Sequence, residues 1–499
     1  MCGIAGAYPS NSAKSVDRMV LRLKHRGPDG DGVTATPATI LGHTRLAIVD
    51  VDGGHQPLND GRAWISFNGE IYNHLELRRR YLKGQRFKTR TDTETVLALY
   101  QRFGPRCVEM LNGMFAFAIS IGGELFLARD PLGIKPLYVG HTDGQTVFAS
   151  EIKALSQVTN DIREFPAGTW FHSKKGWHHF YDLGDSLSDE LPAAESESAA
   201  LAAIRDSLQE AVRKRLMSDV PLGVSLSGGL DSSIISMLAN HDAPGLHSFA
   251  VGVEGSPDLE AARLMSEFLG TQHHQYVYTE QDMLAVLPEV VYYLESFDPA
   301  LVRSAIPNYM LAKMASEYVK VILTGEGADE LFAGYSYLSR YAEPDDLQQE
   351  LVSITEALHN TNLQRGDRMS MAHGLEARVP FLDVDSVALA LSLPPEWKLQ
   401  ENGRPAKALL RRAFEGLLPD EIVYRPKMKF SKGAGSSDIL AQRADEQITG
   451  KHFQQEQNRL RDEWGYSLPN KEALFYYQML DQHYQDQWIM PSMGHSRSL

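Results

Sequence analysis

The chain has 499 residues, 43% hydrophobic and 23% charged, with a formal net charge of −15. That length allows two to four domains, and the acidic balance argues against nucleic acid as the main partner. Two cysteines without metal-ligand spacing fit a reducing, cytosolic setting, and no apolar run approaches a membrane span or a leader.

In chain order, the runs CGIAGAY, TILGHTRLAIVD, AWISFNGEIY, MFAFAISIGGELFLARD and PLYVGHTDGQTVFAS read as strands, with hairpin turns at 122–123 and 142–144. Helices fit SVDRMVLRLKHR and TETVLALYQRFG, so residues 2–185 form a layered α+β domain. Residues 183–200, rich in Ser, Asp, Glu and Ala, contain the linker, taken as 186–200. Beyond it, from residue 201 to 499, GVSL, HSFAVGV, HHQYVYT and VKVILT alternate with helical patterns, which predicts an α/β domain with a mainly parallel sheet. From about residue 350 the pattern is mostly helical, and the tail GHSRSL reads as unstructured.

Chemistry concentrates in four places. SLSGGLDSS runs from a strand into a helix, with two glycines for close backbone approach and Ser227, Ser232 and Ser233 as hydroxyl donors. A helix start offers unpaired N–H groups to an anion, so this loop suits a pyrophosphate; the plainer alternative is a strand–helix turn capped by Asp231. LTGEGADELFAGY sets Glu326, Asp329 and Glu330 after a strand, hard oxygens that suit Mg²⁺. The segment 407–432 carries Lys407, Arg411, Arg412, Arg425, Lys427, Lys429 and Lys432, either a solvated basic face or a polyphosphate site.

The fourth place is the start of the chain. Removal of Met1 would put a free amine on the Cys2 Cα, and that amine can activate the thiol. Arg45 could clamp a carboxylate, Asn68 and the Gly69 N–H could stabilise an oxyanion, and Asp92 could grip an ammonium. Each also has a plain structural alternative as an ion pair, a turn or a helix cap.

The pieces MCGIAG, HRGPDG, RLAIVD, NGEIYN, RTDTETVLALY, NGMFAFAI and ARDPLGIKPLY resemble, in order, the glutaminase domain of class II, N-terminal-nucleophile amidotransferases. SGGLDSS is similar to the pyrophosphate loop of N-type ATP pyrophosphatases. Together with TGEGADELFAGY and GLEARVPFLD, the whole chain resembles the glutamine-hydrolysing asparagine synthetases of the B type. The resemblance implies an αββα N-terminal-nucleophile hydrolase sandwich joined to an adenine-nucleotide α-hydrolase-like sheet. It implies Cys2 as nucleophile, Asn68 and Gly69 as oxyanion donors, and Arg45, Ile48, Val49, Glu70 and Asp92 around glutamine. Leu226, Ser227, Gly228, Gly229, Asp231, Ser232, Ser233, Val251, Thr324, Gly325 and Lys427 would hold ATP and pyrophosphate. Asp231 and Asp329 would bind Mg²⁺, Glu326 would assist the chemistry, and Lys427 would neutralise the adenylate. The substrates implied are glutamine, aspartate and ATP, with no membrane or nucleic-acid partner, and a homodimer is left open. One departure stands out: where the bacterial family has two threonines before the acceptor arginine, this chain reads Ala300-Leu301-Val302-Arg303. A lost donor changes what a hydrogen-bonding pocket selects, so amidation of another carboxylate is the competing expectation. A nucleotide-binding paralogue without activity is opposed by the intact Cys2, Asp231 and Glu326.

Overall fold

A computed structural model describes residues 2–10, 13–184, 196–400, 405–426, 437–484 and 493–494. The N-terminal half contributes β1 (Gly3–Tyr8), β2 (Gly30–Ala35), β3 (Ile40–Arg45), β4 (Leu58–Asn59), β5 (Ala63–Ile71) and β6 (Gly113–Ile121). It continues with β7 (Glu124–Arg129), β8 (Tyr138–Thr142), β9 (Gln145–Ala149), β10 (Asp161–Glu164), β11 (Thr169–His172) and β12 (Gly176–His179). They make two six-stranded sheets, ordered β10-β8-β9-β1-β3-β2 and β12-β11-β7-β6-β5-β4. Ile4, Leu41, Ala116, Leu127 and Phe148 meet between the sheets. Outside them, helix Ala13–Arg22 packs on the first sheet, and helices His74–Tyr81 and Asp92–Phe103 cover the second. The result is the αββα sandwich.

Both hairpin turns fall where the sequence places them. Gly122 and Gly123 have φ of 57° and 84°, and Asp143 and Gly144 have 46° and 74°. Two consecutive positive φ values match the twist of the flanking strands and favour Gly and Asp.

The C-terminal half adds β13 (Leu222–Ser225), β14 (His247–Gly252), β15 (Gln272–Val277), β16 (Val321–Leu323) and β17 (Glu376–Arg378). All neighbours pair in parallel, in the order β15-β14-β13-β16-β17. The chain leaves β13 first toward β14 and later toward β16, which opens a crevice at the carboxyl ends of the strands, where α/β sheets bind ligands. The helix expected from residue 201 begins at Glu197, because Ser196 accepts the Ala199 N–H as a cap, so the last four linker positions are helical. Residues 185–195 and 495–499, including most of the linker and tail readings, lie outside the described residues. β17 interrupts the segment read as helical: three residues are too few to show a period, and only pairing with β16 makes them a strand.

The boundary between the halves is charged and dry. Arg26 Nη1 reaches Glu151 Oε1 at 2.6 Å and, across the boundary, Asp367 Oδ2 at 2.7 Å. Lys135 Nζ lies 3.4 Å from Asp367, and Lys153 Nζ lies 2.9 Å from Glu295. Arg368 joins Glu295 at 2.9 Å and Glu151 at 3.5 Å. Such buried pairs add little net stability, yet removing one partner costs about 3–5 kcal/mol because the other charge stays desolvated. Among the described residues no helix is long and apolar enough to cross a membrane.

Candidate active sites

β1 carries Cys2 into the sandwich next to the centre of β5. The Cys2 backbone nitrogen donates to Asn68 Oδ1 at 3.0 Å. That bond fixes the amide orientation and leaves Asn68 Nδ2, which is buried and has no hydrogen-bond partner among the described residues. A sheltered donor without an acceptor is costly in a resting protein and useful where negative charge develops. Gly69 follows because a Cβ there would sit 2.0 Å from the Met114 carbonyl of β6. Burial pushes the Cys2 thiol up; the chain's amino terminus, a Leu46 backbone N–H and Arg45 pull it back, while Glu376 adds to the rise.

Arg45 ends β3 and donates to the carbonyls of Val51 and Asp50, both at 2.8 Å, which folds the loop carrying Ile48 and Val49 over the pocket. The C-terminal half grips the same loop: Asp219 N–H donates to Ile48 O at 3.0 Å, and Asp50 N–H donates to Asp219 Oδ2 at 2.8 Å. Asp92 is the first residue of its helix, but Thr91 is the cap. The Asp92 carboxylate instead accepts the N–H groups of Ile71 and Thr93, each at 2.7 Å. Burial raises it to about 6. Glu70 is raised well above the usual carboxylate range, by burial first and then by Asp92 and Glu376.

The second site lies at the crevice of the parallel sheet. A cavity of about 690 Å³ is lined by Ser227, Gly229, Asp231, Ser232, Thr324, Gly325, Glu326, Asp329 and Arg303. Leu226, Gly228, Ser233 and Val251 are outside its lining. The loop after β13 is held by its own hydroxyls: Ser227 and Ser232 Oγ are 3.0 Å apart, and Ser232 Oγ donates to Gly229 O. Gly228 has φ of 67°, and a Cβ there would lie 2.4 Å from Ala261. Thr324 Oγ1, in the cavity lining, and Ser233 Oγ, outside it, are buried without partners among the described residues. Asp231 does not cap its helix; Gly229 holds that position.

Asp231 and Asp329 converge. Lys407 Nζ lies 2.5 Å from a carboxylate oxygen of each. Burial opposes its charge, but the two carboxylates together hold the ammonium above its usual range. Glu326 accepts from Arg365 Nη2 at 2.5 Å, and Arg365 Nη1 donates to Ser304 at 3.0 Å. Arg425 spans Gly228 O at 3.2 Å and Asp258 Oδ1 at 2.7 Å. Arg303 reaches the cavity wall with Nε on Glu472 Oε1 at 2.7 Å.

Residues 1–175 match the family described as glutamine amidotransferase domain, and 203–343 with 339–491 match asparagine synthase. A probable glutamine-hydrolyzing asparagine synthetase of Schizosaccharomyces pombe is 38% identical, over 97% of this chain and 93% of the relative. Asparagine synthetase B of Escherichia coli is 38% identical over 97% and 91%, and asparagine synthetase 1 of Arabidopsis thaliana 39% over 96% and 86%. The chain belongs to the glutamine-hydrolysing asparagine synthetase family.

In the glutaminase half, Cys2 is bonded to Asn68, Arg45 acts on the Cys2 thiol, and Asp92 acts on Glu70. In the synthetase half the phosphate loop and the loop bearing Glu326 and Asp329 also meet: a Cβ on Gly325 would lie 2.9 Å from that of Asp231. Lys427, Lys429 and Lys432 lie outside the described residues. Sequence reasoning placed Lys407 only within a basic segment that could serve a polyphosphate, and gave no site role to Arg365, Glu376 or Arg378. Lys407 stood in the basic segment, where only its position beside two acidic loops distinguishes it. Glu376 and Arg378 stood inside GLEARVPFLD, and a charged pair at fully buried strand positions was the available signal.

Proposed function

We propose that this chain makes asparagine from aspartate, ATP and glutamine, releasing glutamate, AMP and pyrophosphate. The observation that carries the reading is one chain joining a sheltered thiol, beside an uncommitted Asn68 donor, to a crevice cradle of serines, glycines and paired carboxylates.

With Met1 removed, the Cys2 amine, about 7.7–8.0 in a free chain, takes the thiol proton, directly or through a water. The sulfur bonds to the glutamine amide carbon, and Asn68 Nδ2 with the Gly69 N–H receives the oxyanion. The C–N bond breaks, the amine's proton goes to the departing ammonia, and water cleaves the thioester to glutamate. Arg45 takes the glutamine carboxylate, Glu70 and Asp92 its ammonium, and the Ile48–Val49 loop closes over it.

In the synthetase half a side-chain carboxylate oxygen of aspartate bonds to the α-phosphorus and pyrophosphate leaves. Ammonia then attacks the acyl carbon and AMP departs. Leu226, Ser227, Gly228, Gly229, Ser232, Ser233, Val251, Thr324 and Gly325 frame the nucleotide, Lys427 neutralises the phosphates, Glu326 assists ammonia attack, and Arg303 faces the acceptor. The two carboxylates that close on one Lys407 ammonium define a single cation position between hard oxygens, which fits Mg²⁺. Asp231 and Asp329 would hold that ion, whose charge would offset that of the pyrophosphate. Two free, buried thiols suit a cytosolic location.

A second reading, a different carboxylate as acceptor, is favoured by Ala300 and Leu301, which bring no side-chain donors to the wall beside Arg303. Incubating the protein with glutamine, ATP–Mg and a panel of carboxylates decides between them. Asparagine formed from aspartate, with AMP and pyrophosphate, is expected; AMP with another acid and none with aspartate would refute the first reading. Cys2→Ala should lower glutamine-driven synthesis more than about 10³-fold and leave ammonia-driven synthesis running.

A further inference from the structure

One buried cation near the glutamine pocket belongs to the other half of the chain. Arg378, on β17, is fully buried. Its Nε donates to Glu376 Oε1 at 2.6 Å, and Nη1 donates to the carbonyls of Arg215 and Met217, both at 2.6 Å. Those bonds immobilise the guanidinium and aim Nη2, which has no hydrogen-bond partner among the described residues, at Glu70 Oε1 3.6 Å away. Glu70 Oε2 is likewise buried without a partner among the described residues. The carboxylate of Asp92, the other acid of the pocket, accepts the backbone N–H groups of Ile71 and Thr93.

We propose that Arg378 is a positioning residue of the glutamine site, holding one oxygen of Glu70 from behind so that the other faces the substrate ammonium. The proposal rests on Glu70 belonging to that pocket, as argued above. The charges around Glu70 make the need plain. Burial opposes its ionisation, and Asp92 from the adjacent helix and Glu376 from β17 add like charge. Against these stand Arg378 and the chain's amino terminus. Arg215 lies over the Tyr72 ring, 4.6 Å from its centroid. Loss of Arg378 would push the Glu70 carboxyl further up and weaken its hold on an ammonium ion. Glutamine capture in one half thus depends on a side chain folded into the catalytic sheet of the other.

The test uses the full chain carrying Arg378→Met, Arg378→Lys or Glu70→Gln, with glutamate release measured against glutamine concentration and pH. An opposite charge at this range shifts a carboxylate by about 1–3 units. Arg378→Met should therefore move the acid limb of kcat/KM up by about 1–3 units. It should raise the glutamine KM at neutral pH at least about tenfold, with a smaller change in kcat. Arg378→Lys keeps the charge and should restore the limb, which a purely structural role would not do. If the Met variant fails to fold by circular dichroism, Arg378→Gln, which retains donors for the two carbonyls, replaces it with the same expectation. A parental limb and KM in Arg378→Met, with Glu70→Gln impaired, overturn the inference alone. A parental KM in Glu70→Gln overturns the reading of the pocket and the inference with it.

Discussion

The two pockets treat their acids in opposite ways. In the glutaminase pocket Glu70 and Asp92 are enclosed, with Asp92 raised to about 6 and Glu70 raised well above its ordinary range. In the synthetase cavity Asp231 and Asp329 share the Lys407 ammonium, and Glu326 holds Arg365. Glu330 is the exception there: burial and Asp329 raise it to about 7, and the Tyr335 hydroxyl donates to it. The difference follows from the ligands each site would receive. A pocket for an amino acid leaves carboxylates short of cations, because the substrate brings an ammonium. A pocket for a polyphosphate keeps its cations close, because the substrate brings only negative charge, and parks them on its acids meanwhile.

Three measurements press on that contrast. The largest effect is expected of Asn68→Ala, which removes the uncommitted donor and should slow glutamate release about 10²–10³-fold, while ammonia-driven synthesis persists. Equal loss in both assays would mean that Asn68 supports the fold rather than the oxyanion. Next, Lys407→Met removes the ammonium that Asp231 and Asp329 share. It should lower AMP formation on the order of 10²-fold and destabilise the protein by about 3–5 kcal/mol, read from denaturant unfolding, with glutamate release continuing. Full AMP formation would show that the parked ammonium has no part in nucleotide handling. The mildest test is pH. Asp92 must be ionised to hold an ammonium, and its raised value means the charge is present above about 6 and lost below it. The glutamine kcat/KM should thus fall about tenfold per unit as pH drops below that point. A flat profile between pH values of about 5 and 7 would remove Asp92 from the binding step.

Local signals carried much of this into the sequence. The glycines at 122–123 and the alternation of strand and helix after residue 220 are dictated by backbone sterics and periodicity, so they are readable without a fold. The phosphate loop was legible for the same reason, since Gly228 and the three serines act within one turn of chain. What stayed hidden depends on distant partners. The pairing of Asp231 with Lys407 spans 176 positions. β17 is three residues long and exists only through β16. Arg26 donates to the Cys2 carbonyl at 3.0 Å and reaches Asp367 at 2.7 Å, a pairing over 341 positions that no period announces.

That last pairing bears on how such enzymes can be recombined. Asp367 receives charge from both Arg26 and Lys135, and Arg368 is neutralised in part by Glu151. Neither half is electrically complete at its inner face. Grafting this glutaminase onto a related synthetase would leave Arg26, Lys135 and Glu151 facing whatever the new partner presents in a buried seam. A working hybrid has to transplant Asp367, Arg368 and Glu295 along with the module, so the unit of exchange is the seam rather than the domain.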